Sequence, residues 1–247
     1  MTIFLTSNMG MCEKINGEII TKKIDNKNNI INQLKNSIKN YKKFVFIASN
    51  PTGYEKTDSY SQCTKQSFKM SGMEFSEFII LDARTMDKTA EIISGADVIF
   101  LAGGHVPTQN AFFVEIELEK HLQGYDGVLI GQSAGSMNLS SLVYNYPEDL
   151  SEMEDSKFLI GLGKTNVTII PHFERNKANK NIDLFNDYFL PDSKNKEYVL
   201  LTDGSHVLVK KSECVVYGEA YLVKNCEITQ ICKTGQNTKL NIMQNKM

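Results

Sequence analysis

The stretch Gly131-Gln132-Ser133-Ala134-Gly135 has the residue types of a reactive turn. A serine hydroxyl becomes a useful nucleophile only when a neighbouring base takes its proton, so its surroundings matter more than its presence. Residues 127–130, just before it, are a short apolar run containing Val128 and Ile130, and residues 133–145 carry Met137, Leu139, Leu142 and Val143, a pattern that predicts a helix. A strand that turns sharply into a helix through G-x-S-x-G holds the serine Oγ out of the turn, and the flanking glycines remove side chains that would collide there. The helix then aims its first N–H groups at whatever the serine attacks. The plainer alternative is an ordinary strand-to-helix turn whose serine caps the helix.

In open parallel sheets ligands bind beyond the carboxyl ends of the strands, so chemistry is sought where the other apolar runs end. Residues 98–101 end in Ala102-Gly103-Gly104-His105, residues 167–170 in Pro171-His172-Phe173, and residues 198–201 in Thr202-Asp203-Gly204-Ser205. With Ser133 these make the parts of a serine hydrolase: His172 as general base, Asp203 as the acid that orients it, and the N–H groups of Gly104 and Ala134 as oxyanion donors. His105 is the rival base, but it directly follows the glycine pair and is assigned to the substrate cleft. His121, inside a predicted helix, and His206, beyond a turn, read as structural. Glu174, two residues past His172, stays open beside Asp203 as the acid. Arg175, one of only two arginines in the chain, is the candidate for a bidentate contact to a substrate carboxylate. A metal site built from His105, His172, His206 and Asp203 has no ligand spacing of a known type, so neither a metal nor a cofactor is expected.

The elements that must position these residues can be read from periodicity. Residues 3–6, 44–48, 78–81, 98–101, 127–130, 167–170 and 198–201 read as strands, and residues 30–38, 60–70, 85–93, 107–122, 133–145 and 182–189 as helices. From residue 207 to residue 231 the pattern changes to short alternating strands. Strands alternating with helices predict an α/β fold: a doubly wound, mostly parallel sheet with helices on both faces and a C-terminal antiparallel hairpin region. No linker or repeat interrupts it, so residues 1–247 are read as a single domain whose last dozen residues fray.

Composition narrows the class of function. A chain of 247 residues with 41% hydrophobic and 23% charged residues and a net charge of -2 is an ordinary globular protein, with no basic excess for nucleic acid or an anionic membrane. The five cysteines are scattered, with no C-x-x-C pair. Together with an N-terminus that lacks a basic segment and the absence of any run long enough to span a membrane, they lead to the expectation of a reducing cytoplasm. Oligomeric state leaves no signature in the sequence.

The set Leu101-Ala102-Gly103-Gly104, Gly131-Gln132-Ser133-Ala134-Gly135, Pro171-His172-Phe173 and Leu201-Thr202-Asp203-Gly204, in that order, resembles the dipeptidase E (aspartyl dipeptidase) family of serine peptidases. The resemblance implies a fold like that of class I glutamine amidotransferases, with Ser133 as nucleophile, His172 as base, Gly104 and Ala134 as oxyanion donors, and small peptides as substrates. The chain departs from the family at the acid, where a glutamate in a Pro-Glu-Gly context is replaced by Thr202-Asp203-Gly204. Peptidase chemistry through an acyl-enzyme is therefore the expected function. The competing reading is a non-catalytic domain whose glycine loops and helix ends bind a small molecule or an anion.

Overall fold

The computed structural model of the protein describes residues 1–152, 156–211 and 213–241. Its strands, in chain order, are β1 (Thr2–Thr6), β2 (Cys12–Ile15), β3 (Glu18–Thr21), β4 (Lys43–Ile47), β5 (Glu77–Leu81), β6 (Val98–Leu101), β7 (Val128–Gln132), β8 (Leu142–Tyr144) and β9 (Phe158–Ile160). They continue as β10 (Ile169–Ile170), β11 (Glu197–Leu201), β12 (His206–Lys210), β13 (Glu213–Tyr217), β14 (Ala220–Lys224), β15 (Glu227–Cys232) and β16 (Asn237–Lys239). The helices used below are α1 (Ile30–Ser37), α2 (Tyr54–Met70), α3 (Thr89–Ile93), α4 (Val106–Glu115), α5 (Leu118–His121), α6 (Ala134–Asn138) and α7 (Phe173–Lys177).

The main sheet runs β16-β13-β12-β1-β7-β6-β4-β5. Its last five strands are parallel, and β12, β13 and β16 extend it antiparallel beyond β1. Strand β7 lies between β1 and β6, with Leu129 opposite both Ile3 and Ile99. Buried on both faces, it needs an unbroken apolar run rather than an alternating one, and Val128-Leu129-Ile130 supplies it. The side-chain period of two sorts the parallel strands between two cores: Leu5, Val45, Ile99 and Leu129 face one, and Phe4, Phe44, Phe100 and Ile130 the other.

A second sheet, β10-β11-β14-β15, carries two of the candidate strand ends. Its first two strands are parallel neighbours, with Ile169 opposite Val199, so His172 and Asp203 emerge side by side. The link from β11 to β12, residues 202–205, joins this sheet to the main one.

Four local expectations are corrected. The helix after Ser133 ends at Asn138, whose buried amide donates to the Val106 carbonyl and to Gln109 while its carbonyl accepts from the Leu162 N–H. Those bonds turn the chain aside, and residues 142–144 become β8. The helix expected over residues 107–122 is broken at Glu117, where φ is 47°, into α4 and α5. Residues 12–21, assigned from the sequence to neither strand nor helix, form a hairpin, β2–β3, turning at Asn16-Gly17, both of which have positive φ. Part of the expected C-terminal fraying is replaced by β16, which pairs with β13; residues 242–247 lie outside the described ones.

The cysteine reading also changes. Cys12 on β2 and Cys63 on α2 form a disulfide with their Cα atoms 6.3 Å apart, while Cys214, Cys226 and Cys232 are free. The partners are 51 residues apart, and only the packing of the hairpin against α2 brings them together. Among the described residues, no helix is long and apolar enough to cross a membrane.

Candidate active site

The elbow has the conformation its sequence demands. Ser133 sits at φ 51° and ψ -115°, a backbone region that costs a non-glycine residue about 1–3 kcal/mol and persists only when its surroundings hold it. They do: the Ser133 N–H donates to the Thr6 carbonyl at 2.9 Å, and the Ser133 carbonyl accepts from the Ser136 and Met137 N–H groups. Glycine is required on both sides for close approach. A Cβ on Gly131 would strike the backbone of Ser136, and one on Gly135 would overlap the Leu101 carbonyl of β6.

His172 reaches this serine from the second sheet. Its Nε2 lies 2.9 Å from Ser133 Oγ, and its Nδ1 lies 2.8 Å from Asp203 Oδ1. An ionised carboxylate can only accept, so Nδ1 carries the proton and Nε2 is left to accept from the serine hydroxyl. His172 also has a left-handed backbone, φ 60°, immediately before α7. Its side chain is 13% exposed, against 54% for Asp203. Burial pushes the Asp203 carboxyl upward, but hydrogen bonds from His172 and Ser7 and the charges of His172 and Arg175 outweigh it, holding the carboxyl below its ordinary range.

Of the two acids left open, Asp203 is the one bonded to His172; Glu174, on α7, is exposed. Ser133, His172, Gly104, His105 and Arg175 all line one cleft of about 450 Å³, a volume suited to a small ligand. Among the described residues, the N–H groups of Gly104 and Ala134 donate to no protein acceptor. His105 caps α4, with Nδ1 2.7 Å from Thr108 Oγ1 and Nε2 3.6 Å from Glu152, so it is held away from the role of base. Arg175 lines the cleft, but its guanidinium is bonded to Glu148 at 2.6 Å, and a substrate carboxylate would have to compete with that partner. His121 lies on α5 and His206 is buried elsewhere, and no described cluster of three or more histidine, cysteine or acidic residues could hold a metal ion.

Reading the sequence misses several lining residues, three of them polar or charged side chains far from any strand end, and one buried hydroxyl. Lys56 and Tyr60 come from α2, and Glu152 from the loop after β8; none stands at a strand end, so nothing marks them. Ser7 is different. It comes directly after β1 and bonds to both His172 and Asp203, a position that the strand-end rule reaches.

Comparison with known proteins places the chain in a family. Residues 17–217 match the model of Peptidase family S51. A 1.5 Å crystal structure of a candidate peptidase E protein from Listeria monocytogenes EGD-e superposes with a TM-score of 0.58 at 15% sequence identity, covering 87% of this chain and 96% of that one. That likeness is one of fold. A comparison with curated proteins finds no match.

Proposed function

Because the chain belongs to peptidase family S51, and is by that membership a peptidase, we propose that it cleaves small peptides or related amides through an acyl-enzyme at Ser133. The observation that carries this reading is the continuous row from Asp203 Oδ1 through the His172 ring to Ser133 Oγ, with heavy-atom separations of 2.8 and 2.9 Å.

In the proposed reaction, Ser133 Oγ attacks the scissile carbonyl carbon as its proton passes to His172 Nε2. The carbonyl oxygen, now carrying the negative charge, accepts from the N–H groups of Gly104 and Ala134, while Asp203 stabilises the imidazolium across the ring. His172 then gives its proton to the leaving nitrogen, and the C–N bond breaks. Water, deprotonated by the same nitrogen, attacks the acyl-serine and releases the acid, returning the proton to Ser133. Every step uses a side chain or backbone group of this chain, so the reaction is read as independent of cofactors. Any preference for an acidic substrate would act through Arg175 after exchange of its Glu148 partner.

Reaction with a fluorophosphonate and mapping of the adduct test the assignment. One equivalent on Ser133, absent in Ser133→Ala, is expected. Peptide hydrolysis that survives Ser133→Ala would remove it.

A further inference from the structure

The end of β1 touches all three members of the proposed row. The Thr6 carbonyl accepts from the Ser133 N–H at 2.9 Å, and Thr6 is itself fixed from two sides, with Oγ1 donating to the Gly131 carbonyl and its own N–H and carbonyl bonded to Ser136 Oγ. The next residue, Ser7, is fully buried. Its Oγ–H donates to Asp203 Oδ1 at 2.6 Å, and the same oxygen accepts from the His172 N–H at 2.8 Å. The directions are unambiguous, since a carboxylate only accepts and an amide N–H only donates.

We infer that Ser7 is a positioning residue for catalysis, tying the carboxylate of Asp203 and the backbone of His172 to the strand that also holds Ser133. The inference rests on the proposed roles of those three residues. Two features make such a tie necessary. Asp203 is more than half exposed at its side chain, so without a second donor its carboxylate can rotate into solvent and leave His172 Nδ1. His172 occupies the left-handed region, which an L-residue with a large side chain adopts only when held, and the Ser7 hydroxyl takes up its N–H there. Because Oδ1 accepts from both Ser7 and His172 Nδ1, the three residues close a ring of four groups: hydroxyl, carboxylate, imidazole and backbone N–H. A shift in any one moves the base relative to Ser133, and displacements of about 1 Å are enough to cost about 10²-fold in rate.

The test uses the full chain and the rate at which a fluorophosphonate modifies Ser133, with the maximal rate and the half-saturating concentration measured separately. Ser7→Ala and the near-isosteric but weakly donating Ser7→Cys should each lower the maximal rate about 10–100-fold and leave the half-saturating concentration within about twofold. In an Asp203→Asn background, Ser7→Ala should cost several-fold less than in the wild-type chain, because part of its effect is exerted through the acid and the rest through the His172 N–H. Ser7→Thr, which keeps the hydroxyl, should recover most of the rate. Full rates in both Ser7→Ala and Ser7→Cys, or an undiminished loss in the Asp203→Asn background, would overturn the inference, as would variants whose rate falls only in step with loss of the folded state in thermal melts. A wild-type chain unlabelled at Ser133 would instead fail the nucleophile assignment, and this inference with it.

Discussion

Asp203 is one methylene shorter than the glutamate of the family the sequence resembles, yet its carboxylate reaches His172 Nδ1 at 2.8 Å. The backbone makes up the difference. Gly204, at φ 85°, donates its N–H to the Asn8 carbonyl at 2.8 Å, and Lys27 Nζ donates to the Asp203 carbonyl at 2.7 Å, so the turn is drawn in toward the end of β1. A side chain with a positive φ at 204 would resist that turn, which is why glycine comes after the acid. Against the upward push of burial, the hydrogen bonds from His172 and Ser7 hold the Asp203 pKa below the ordinary carboxylate value, which favours the ionised form that orients His172. Asp203→Asn should lower kcat by at least about 10²-fold, since an amide can donate to Nδ1 and favour the wrong tautomer. Glu174→Gln should leave kcat within about twofold. Steady-state kinetics of the two variants side by side, with folding checked by thermal melting, decide the assignment; the opposite ranking would transfer the role to Glu174.

How much could be read in advance depends on whether the causes are local. β1, β4, β5, β6, β7 and β11 are legible as short apolar runs, and the rule that chemistry sits at strand ends leads to Ser133, His172, Asp203 and Gly104. The same rule leads to Ser7, whose importance shows only once β10 and β11 are seen to open beside it. β8 was hidden because Leu142-Val143-Tyr144 suits a buried helix as well as a strand, and the choice is made by hydrogen bonds of Asn138 with residues 106, 109 and 162. The Cys12–Cys63 bridge was hidden because it depends on how β2–β3 packs on α2, and no spacing encodes that. Both elements contribute to the cleft wall, through Cys12, Lys56, Tyr60 and Thr64, so the bridge fixes one side of the site. Such a bridge persists where thiols are oxidised and opens where they are kept reduced. Titration of the unfolded, unreduced protein should find three thiols rather than five. Cys12→Ser should lower unfolding stability by roughly 2–4 kcal/mol in denaturant titrations, as expected for a loop of this length. Five thiols, with no change in stability, would mean that the pair is reduced in solution.

The site is divided between two sheets, with Ser133, Ala134 and Gly104 at the ends of main-sheet strands and His172 and Asp203 at the ends of the second sheet. One of the links between them, residues 202–205, carries Asp203 and runs straight into His206 at the start of β12. His206 is completely buried, stacked on Tyr217, and its Nε2 lies 2.5 Å from Gln33 Oε1 of α1. Since that oxygen can only accept, Nε2 carries the proton, and Nδ1 is buried without a partner among the described residues. A second proton would put a charge on this buried ring, and burial depresses the pKa to about 3. This gives the pH effect a definite sign. Unfolded, His206 takes up a proton below about 6.5, whereas folded it resists until about 3, so its contribution to stability is whole above about pH 6.5 and is lost as pH falls through that window. The slope is up to about 1.4 kcal/mol per pH unit. Thermal melts should thus show Tm falling from pH 6.5 toward pH 4, with loss of activity tracking the melt because the link that carries Asp203 loosens. Replacing His206 by phenylalanine keeps a ring against Tyr217, and the accompanying Gln33→Leu removes the amide left without its donor. That double variant should flatten the acid limb of Tm; a limb as steep as in the wild type would place the acid sensitivity in another group.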